Sequence, residues 1–426
     1  GKELYPATKI RVGETFDIGP EFAISDFKYN RHNEICSGAK LDHLGFVDAT
    51  AQLKGDSYPY AAYPDGIPDG LAFGTFLGAQ ASVFLPDMGF DYLWLSNGLG
   101  FSSNPWDPTG KIFDGVRFFP EKLSETKARV FDFWRLFREK CPDIPLEVRG
   151  TNNSVGIDYS TDGVPLWDIY SKKELGITAP PNSPWAAIND NYGLELMGHM
   201  TRIAELPSGN FPFRYYLHDP WWINSPWYDR YDGTPCDVYM PAMISRITDS
   251  GEVESANTLN ILSVDTSYGT LPDACANEVI PHLLKAEKNF PDEIAPTVWI
   301  YPMREYTTAC SESELREMYL GDSFICDAIN SGFPLCSVSS TDAFLSQSIE
   351  IYKKRVVISP IPMTDEVSKK LDMLINSGVG VIIYGTKSAI ENKKLPKGAT
   401  LVSSEGSGKE LLLALEKHGY AIRFSK

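Results

Sequence analysis

Carboxylic acids stand at the ends of several apolar runs in this chain, and that placement sets the chemistry to look for. FRYYLHD, from Phe213, ends in His218 and Asp219; LNILSVD, from Leu259, ends in Asp265; PTVWIYP, Pro296–Pro302, leads to Arg304, Glu305 and Tyr306. Cleaving an acetal linkage needs two carboxyls, one to protonate the leaving oxygen and one to attack or to activate water, and each of these three stretches offers one. The turn-rich segment HDPWWINSPWYDRYDG adds Trp221, Trp222 and Trp227 to His218 and three aspartates. Aromatic faces stack on sugar rings while carboxylates accept hydrogen bonds from hydroxyls, so Trp221 and Trp222 are expected in a binding cleft. Asp48, Asn97, Trp106 and the Glu147/Arg149 pair end or follow earlier runs and complete the candidate binding set. Each has a plainer rival reading. A carboxylate after a strand also caps the next helix, and Glu147 with Arg149, on one face at i and i+2, also reads as an internal ion pair.

Other chemistries are excluded by spacing. No HExxH and no first-strand HxH occurs, the six histidines are scattered, and the GxGxxG dinucleotide pattern is absent, so neither a metal nor a cofactor is expected. EGSGKE near Gly408 lacks the first glycine of a phosphate loop, and its Lys409 is followed by glutamate. The seven cysteines show no CxxC spacing and read as buried thiols with at most one disulfide.

These side chains need a scaffold that brings strand ends together. Eight short apolar runs lie in the first 340 positions: HLGFVDAT from His43, DYLWLSN from Asp91, IPLEVRG from Ile144, FRYYLHD, CDVYMPAM from Cys236, LNILSVD, PTVWIYP, and PLCSVSS from Pro334. Most precede a helical pattern, such as Ser124–Lys140 and Pro272–Lys288, so the expectation is a (β/α)8 TIM barrel with its site at the C-terminal strand ends. Residues 151–184 are polar and turn-rich and read as a long loop walling that face. From Ser346 the pattern changes to YKKRVVISPIP, a helix over Thr364–Ser377, VGVIIYGT, a helix near Lys409–His418 and a last strand at Tyr420–Phe424. That is a small Rossmann-like α/β layer, giving an expected division into 1–342 and 343–426.

Composition agrees with a folded α/β protein: 426 residues, 43% hydrophobic and 22% charged. The net charge of −17 without a basic cluster argues against nucleic acid and anionic lipid as partners. No run reaches the roughly 18 apolar residues that span a bilayer, and GKELYPATKI has no signal core. The expected location is periplasmic or extracellular, with any export signal already removed.

The segment DAFLSQSIEIYKKRVVISPIPMTDEVSKKLDMLINSGVGVIIYGT resembles the class I glutamine amidotransferase-like domain that follows the barrel in family 42 β-galactosidases, while WLSNGLGFSSNPW, HDPWW and WIYPMREY look like glycoside-hydrolase-like barrels. The resemblance implies a glycoside hydrolase acting on an oligosaccharide or a plant or algal glycan, and a homo-oligomer, since that small domain mediates subunit contacts in the family. No cysteine lies beyond Cys336, so amidotransferase activity is not implied. In the family's clan the acid/base follows strand four and the nucleophile follows strand seven, which are Asp219 and Glu305 here, although His-Asp replaces the clan's Asn-Glu. The α-galactosidase clan pattern would select Asp219 and Asp265. The rival from another class is a catalytically silent glycan-binding barrel, with the same aromatics but no facing carboxyl pair.

Overall fold

The structure, a computed structural model, describes residues 11–16, 25–41, 44–102, 104–105, 107–148, 150–178, 191–205, 211–218, 236–263 and 273–420; for 37–41, 44, 212–218, 236–237, 258–263, 273–276 and 278–279 it describes the backbone alone. The chain divides into two compact units, Gly1–Asn153 with Asp158–Pro180, and Ser154–Ile157 with Pro181–Lys426.

The first unit starts with β1 (Gly13–Phe16), followed by β2 (Cys36–Leu41), β3 (Leu44–Val47), β4 (Gln52–Leu53) and β5 (Leu71–Ala72). Then come α1 (Phe73–Met88), β6 (Tyr92–Leu95), α2 (Leu123–Lys140), β7 (Leu146–Val148), α3 (Val155–Asp162, which belongs to this unit from Asp158), α4 (Leu166–Ser171) and β8 (Ile177–Thr178). A parallel sheet runs β1-β6-β7-β8, with Thr15 opposite Trp94 and Trp94 opposite Glu147. Leu93, Trp94, Leu95, Leu146 and Val148 are buried, the continuous apolar run of a sheet covered on both faces. The close approach of α1 to α2 depends on glycine. A Cβ on Gly74 would lie 2.7 Å from the Phe133 carbonyl oxygen, and one on Gly78 would lie 2.4 Å from that of Phe137.

The second unit contains α5 (Tyr192–Ile203), β9 (Pro212–His218), α6 (Cys236–Ala242), β10 (Ser245–Ile247), β11 (Val253–Glu254), β12 (Thr258–Ser263) and α7 (Asp273–Glu287). It continues with β13 (Thr297–Tyr301), α8 (Met303–Tyr306), α9 (Glu312–Asn330), β14 (Ser337–Ser340), α10 (Thr341–Ser346), β15 (Val356–Pro360), α11 (Asp365–Asn376), β16 (Gly380–Gly385), α12 (Lys387–Asn392), β17 (Thr400–Ser403) and α13 (Lys409–Lys417). Its large sheet has the order β11-β10-β14-β13-β15-β16-β17. Numbered from β13, the last five strands read 2-1-3-4-5, the doubly wound order of flavodoxin-like sheets. Val298, Ile300, Val357, Val381 and Ile383 pack with Val367, Leu371 and Leu374 of α11 in its core. The α11 sequence explains that helix: Thr364 caps it by accepting from the Val367 amide, Asp365 and Glu366 occupy the first turn, and the buried positions fall at i, i+4 and i+7. α9 is fixed likewise by a capping box between Ser311 and Glu314.

The architecture is therefore mixed α/β with parallel sheets. Among the described residues the strands form sheets of four, seven and two strands, and no closed ring of eight is present. Three sequence expectations change. Leu44–Val47 pairs antiparallel with β2 as a hairpin, and the strand beside β6 is Gly13–Phe16 instead. CDVYMPAM begins a helix, with Val238 and Ala242 buried at i and i+4 while Met240 and Met243 are exposed; an apolar run this short has no periodicity that separates helix from strand. Residues 151–184 hold α3 and α4, built around buried Ile157, Tyr159, Leu166 and Ile169, where a loop was expected. Residue 342 falls between β14 and β15, strands of the same sheet. The strand expected at Tyr420–Phe424 lies almost wholly outside the described residues.

Candidate active site

Two strand ends carry the carboxyl candidates. β9 and β12 pair in parallel, Thr258 opposite Pro212 through Ser263 opposite His218, with an irregularity between Leu262 and Ser263. Asp219 is the residue after His218 in the chain, and Asp265 the second after Ser263. Both lie outside the described residues, as do Trp106, Arg149, Trp221 and Trp222. His218 ends β9, described in backbone only.

Glu305 and its neighbours are described in full. β13 and β14 end level, Tyr301 opposite Ser340, so the residues following each strand leave the sheet at one edge. Thr341 donates its hydroxyl to both Glu305 oxygens at 2.6 and 2.7 Å, and Arg304 Nη2 lies 3.3 Å from Glu305 Oε1. The same Arg304 nitrogen is 2.8 Å from Asp342 Oδ1. Glu305 is 6% exposed, whereas the side chains of Arg304 and Asp342 are 40% and 46% exposed. Burial pushes the Asp342 carboxyl above its ordinary range; Arg304 opposes that shift, and Glu305 and Asp249 add to it. Tyr306 points inward, edge-on to Tyr301 at 5.4 Å between ring centroids. Burial raises its hydroxyl well above the usual tyrosine range, with Asp322 and other acids adding. Sequence reasoning named Arg304 and Glu305 and overlooked their partners Thr341 and Asp342. The signal was the polar Ser-Ser-Thr-Asp ending of the eighth run, masked by placing a domain boundary there.

Asp48, Asn97 and Glu147 belong to the first unit. Asp48 accepts from the Thr50 amide and hydroxyl at 2.8 and 2.7 Å and from Lys111 Nζ at 3.1 and 3.3 Å. Burial alone would raise that carboxyl; Lys111 and the Thr50 hydrogen bonds outweigh burial and hold it below its ordinary value. Asp162 accepts from the Lys111 amide at 3.0 Å and from the Ser102 hydroxyl. Asn97 is 6% exposed and adopts a left-handed φ of 50° in the turn after β6, a conformation asparagine tolerates better than most residues. Glu147 sits half-buried on β7. Asp48 thus ties Thr50 to Lys111. No group of three or more potential metal ligands occurs among the described residues.

No family model matches the chain, and no curated protein matches it. Among solved structures it is similar to a β-galactosidase from Rahnella sp. R3 (10% identity, 77% of this chain and 58% of that one, TM-score 0.40). It is also similar to a β-galactosidase from Bacillus circulans sp. alkalophilus (9%, 73% and 53%, TM-score 0.35) and to a catalytic mutant of a GH42 β-galactosidase from G. stearothermophilus (10%, 88% and 61%, TM-score 0.37). The chain spans less than two thirds of each, and likeness at this level assigns no residue a role.

Proposed function

We propose that this protein is a glycoside hydrolase cleaving a glycosidic bond in an oligosaccharide or a plant or algal glycan, with Asp219 and Asp265 as its carboxyl pair. The observation that supports the reading is the parallel pairing of β9 with β12, the two strands that Asp219 and Asp265 follow in the sequence. Glu305 is the weaker partner: it is buried, and both its oxygens are engaged by Thr341 and Arg304. Its support for Arg304 makes it a positioning residue. Trp221, Trp222 and His218 supply stacking faces and a hydrogen-bonding group beside Asp219. The protein acts in the periplasm or outside the cell, where such glycans are met.

A silent glycan-binding protein is the second reading, favoured by the fully engaged carboxylate of Glu305. Digestion of a glycan library, read by released reducing sugar, separates the two. Product from the wild type and none from Asp219→Asn is expected. No product from either, with sugar binding retained, would establish the binding protein instead.

A further inference from the structure

We draw no further inference here: the strongest candidate, the apolar surface patch at α6 and α7 where Met240, Met243, Ile280 and Leu284 are exposed, carries nothing because nothing in the structure shows what covers it.

Discussion

Asp322 offers the most quantitative check on the second unit. It is fully buried, and its Oδ2 accepts from the Ser154 hydroxyl at 2.5 Å and the Tyr301 hydroxyl at 2.9 Å. The Tyr301 hydroxyl in turn accepts from the Gly156 amide at 2.8 Å, and the Ser154 oxygen from the Ile157 amide at 3.0 Å. The carboxylate thus ties residues 154–157 to β13 and α9. Asp322→Ala strips the acceptor from two buried hydroxyls, each costing about 1–3 kcal/mol when left unpaired, so a loss of about 2–5 kcal/mol is expected. Asp322→Asn keeps the volume and one carbonyl oxygen, and about 1–2 kcal/mol is expected, the difference between a charged and a neutral acceptor. Tyr301→Phe and Asp322→Ala share one interaction, so their double variant should lose less than the sum. Urea unfolding followed by circular dichroism measures all four. An Asp322→Ala variant within 0.5 kcal/mol of wild type, or strictly additive effects, would refute the proposed clamp.

Three shorter expectations follow from other sites. His199 is fully buried, and burial together with Arg202 lowers it to about 3; the unfolded chain therefore binds the extra proton between about 6.5 and 3, and stability falls as pH drops through that window by up to about 1.4 kcal/mol per unit. Denaturant unfolding at pH 7 and 5 should show a shallower drop for His199→Leu than for wild type, and equal drops would contradict it. Gly78→Ala, which at an open helical site would stabilise by roughly 0.5–1 kcal/mol, should instead lower the thermal midpoint, because its Cβ meets the Phe137 carbonyl at 2.4 Å. An unchanged or higher midpoint would mean that α1 and α2 can separate without cost. Lys111→Met removes the cation that keeps Asp48 ionised, so acid unfolding should begin at higher pH than in wild type; Asp48 stabilises above its unfolded value, and that contribution is lost as pH falls through the folded one. Coincident acid-unfolding curves would show that Thr50 alone holds Asp48.

What the sequence disclosed follows from burial. β6, β7, β13, β15 and β16 are buried on both faces, so their apolar runs were legible, and α11 declared itself through Thr364 and its spaced leucines. The antiparallel β2–β3 hairpin and the short helix at Cys236 gave the same local signal as parallel strands, and only pairing partners separate them. α3 was hidden because its hydrophobic residues alternate with Asp158, Ser160, Thr161 and Asp162, polar groups buried in hydrogen bonds rather than exposed. A carboxylate after a strand can be read from sequence, but Thr341 and Asp342 reach Glu305 and Arg304 through the register of β13 with β14, which no single run encodes.

The decisive measurement is kcat/KM of Asp219→Asn, Asp265→Asn and Glu305→Gln on the best substrate from the glycan library. Losses of about a thousandfold or more are expected for the two aspartates, about 4 kcal/mol of transition-state stabilisation each, with tenfold or less for Glu305→Gln. An inactive Glu305→Gln beside a fully active Asp265→Asn would move the chemistry to the β13 end and contradict the Asp219–Asp265 pair.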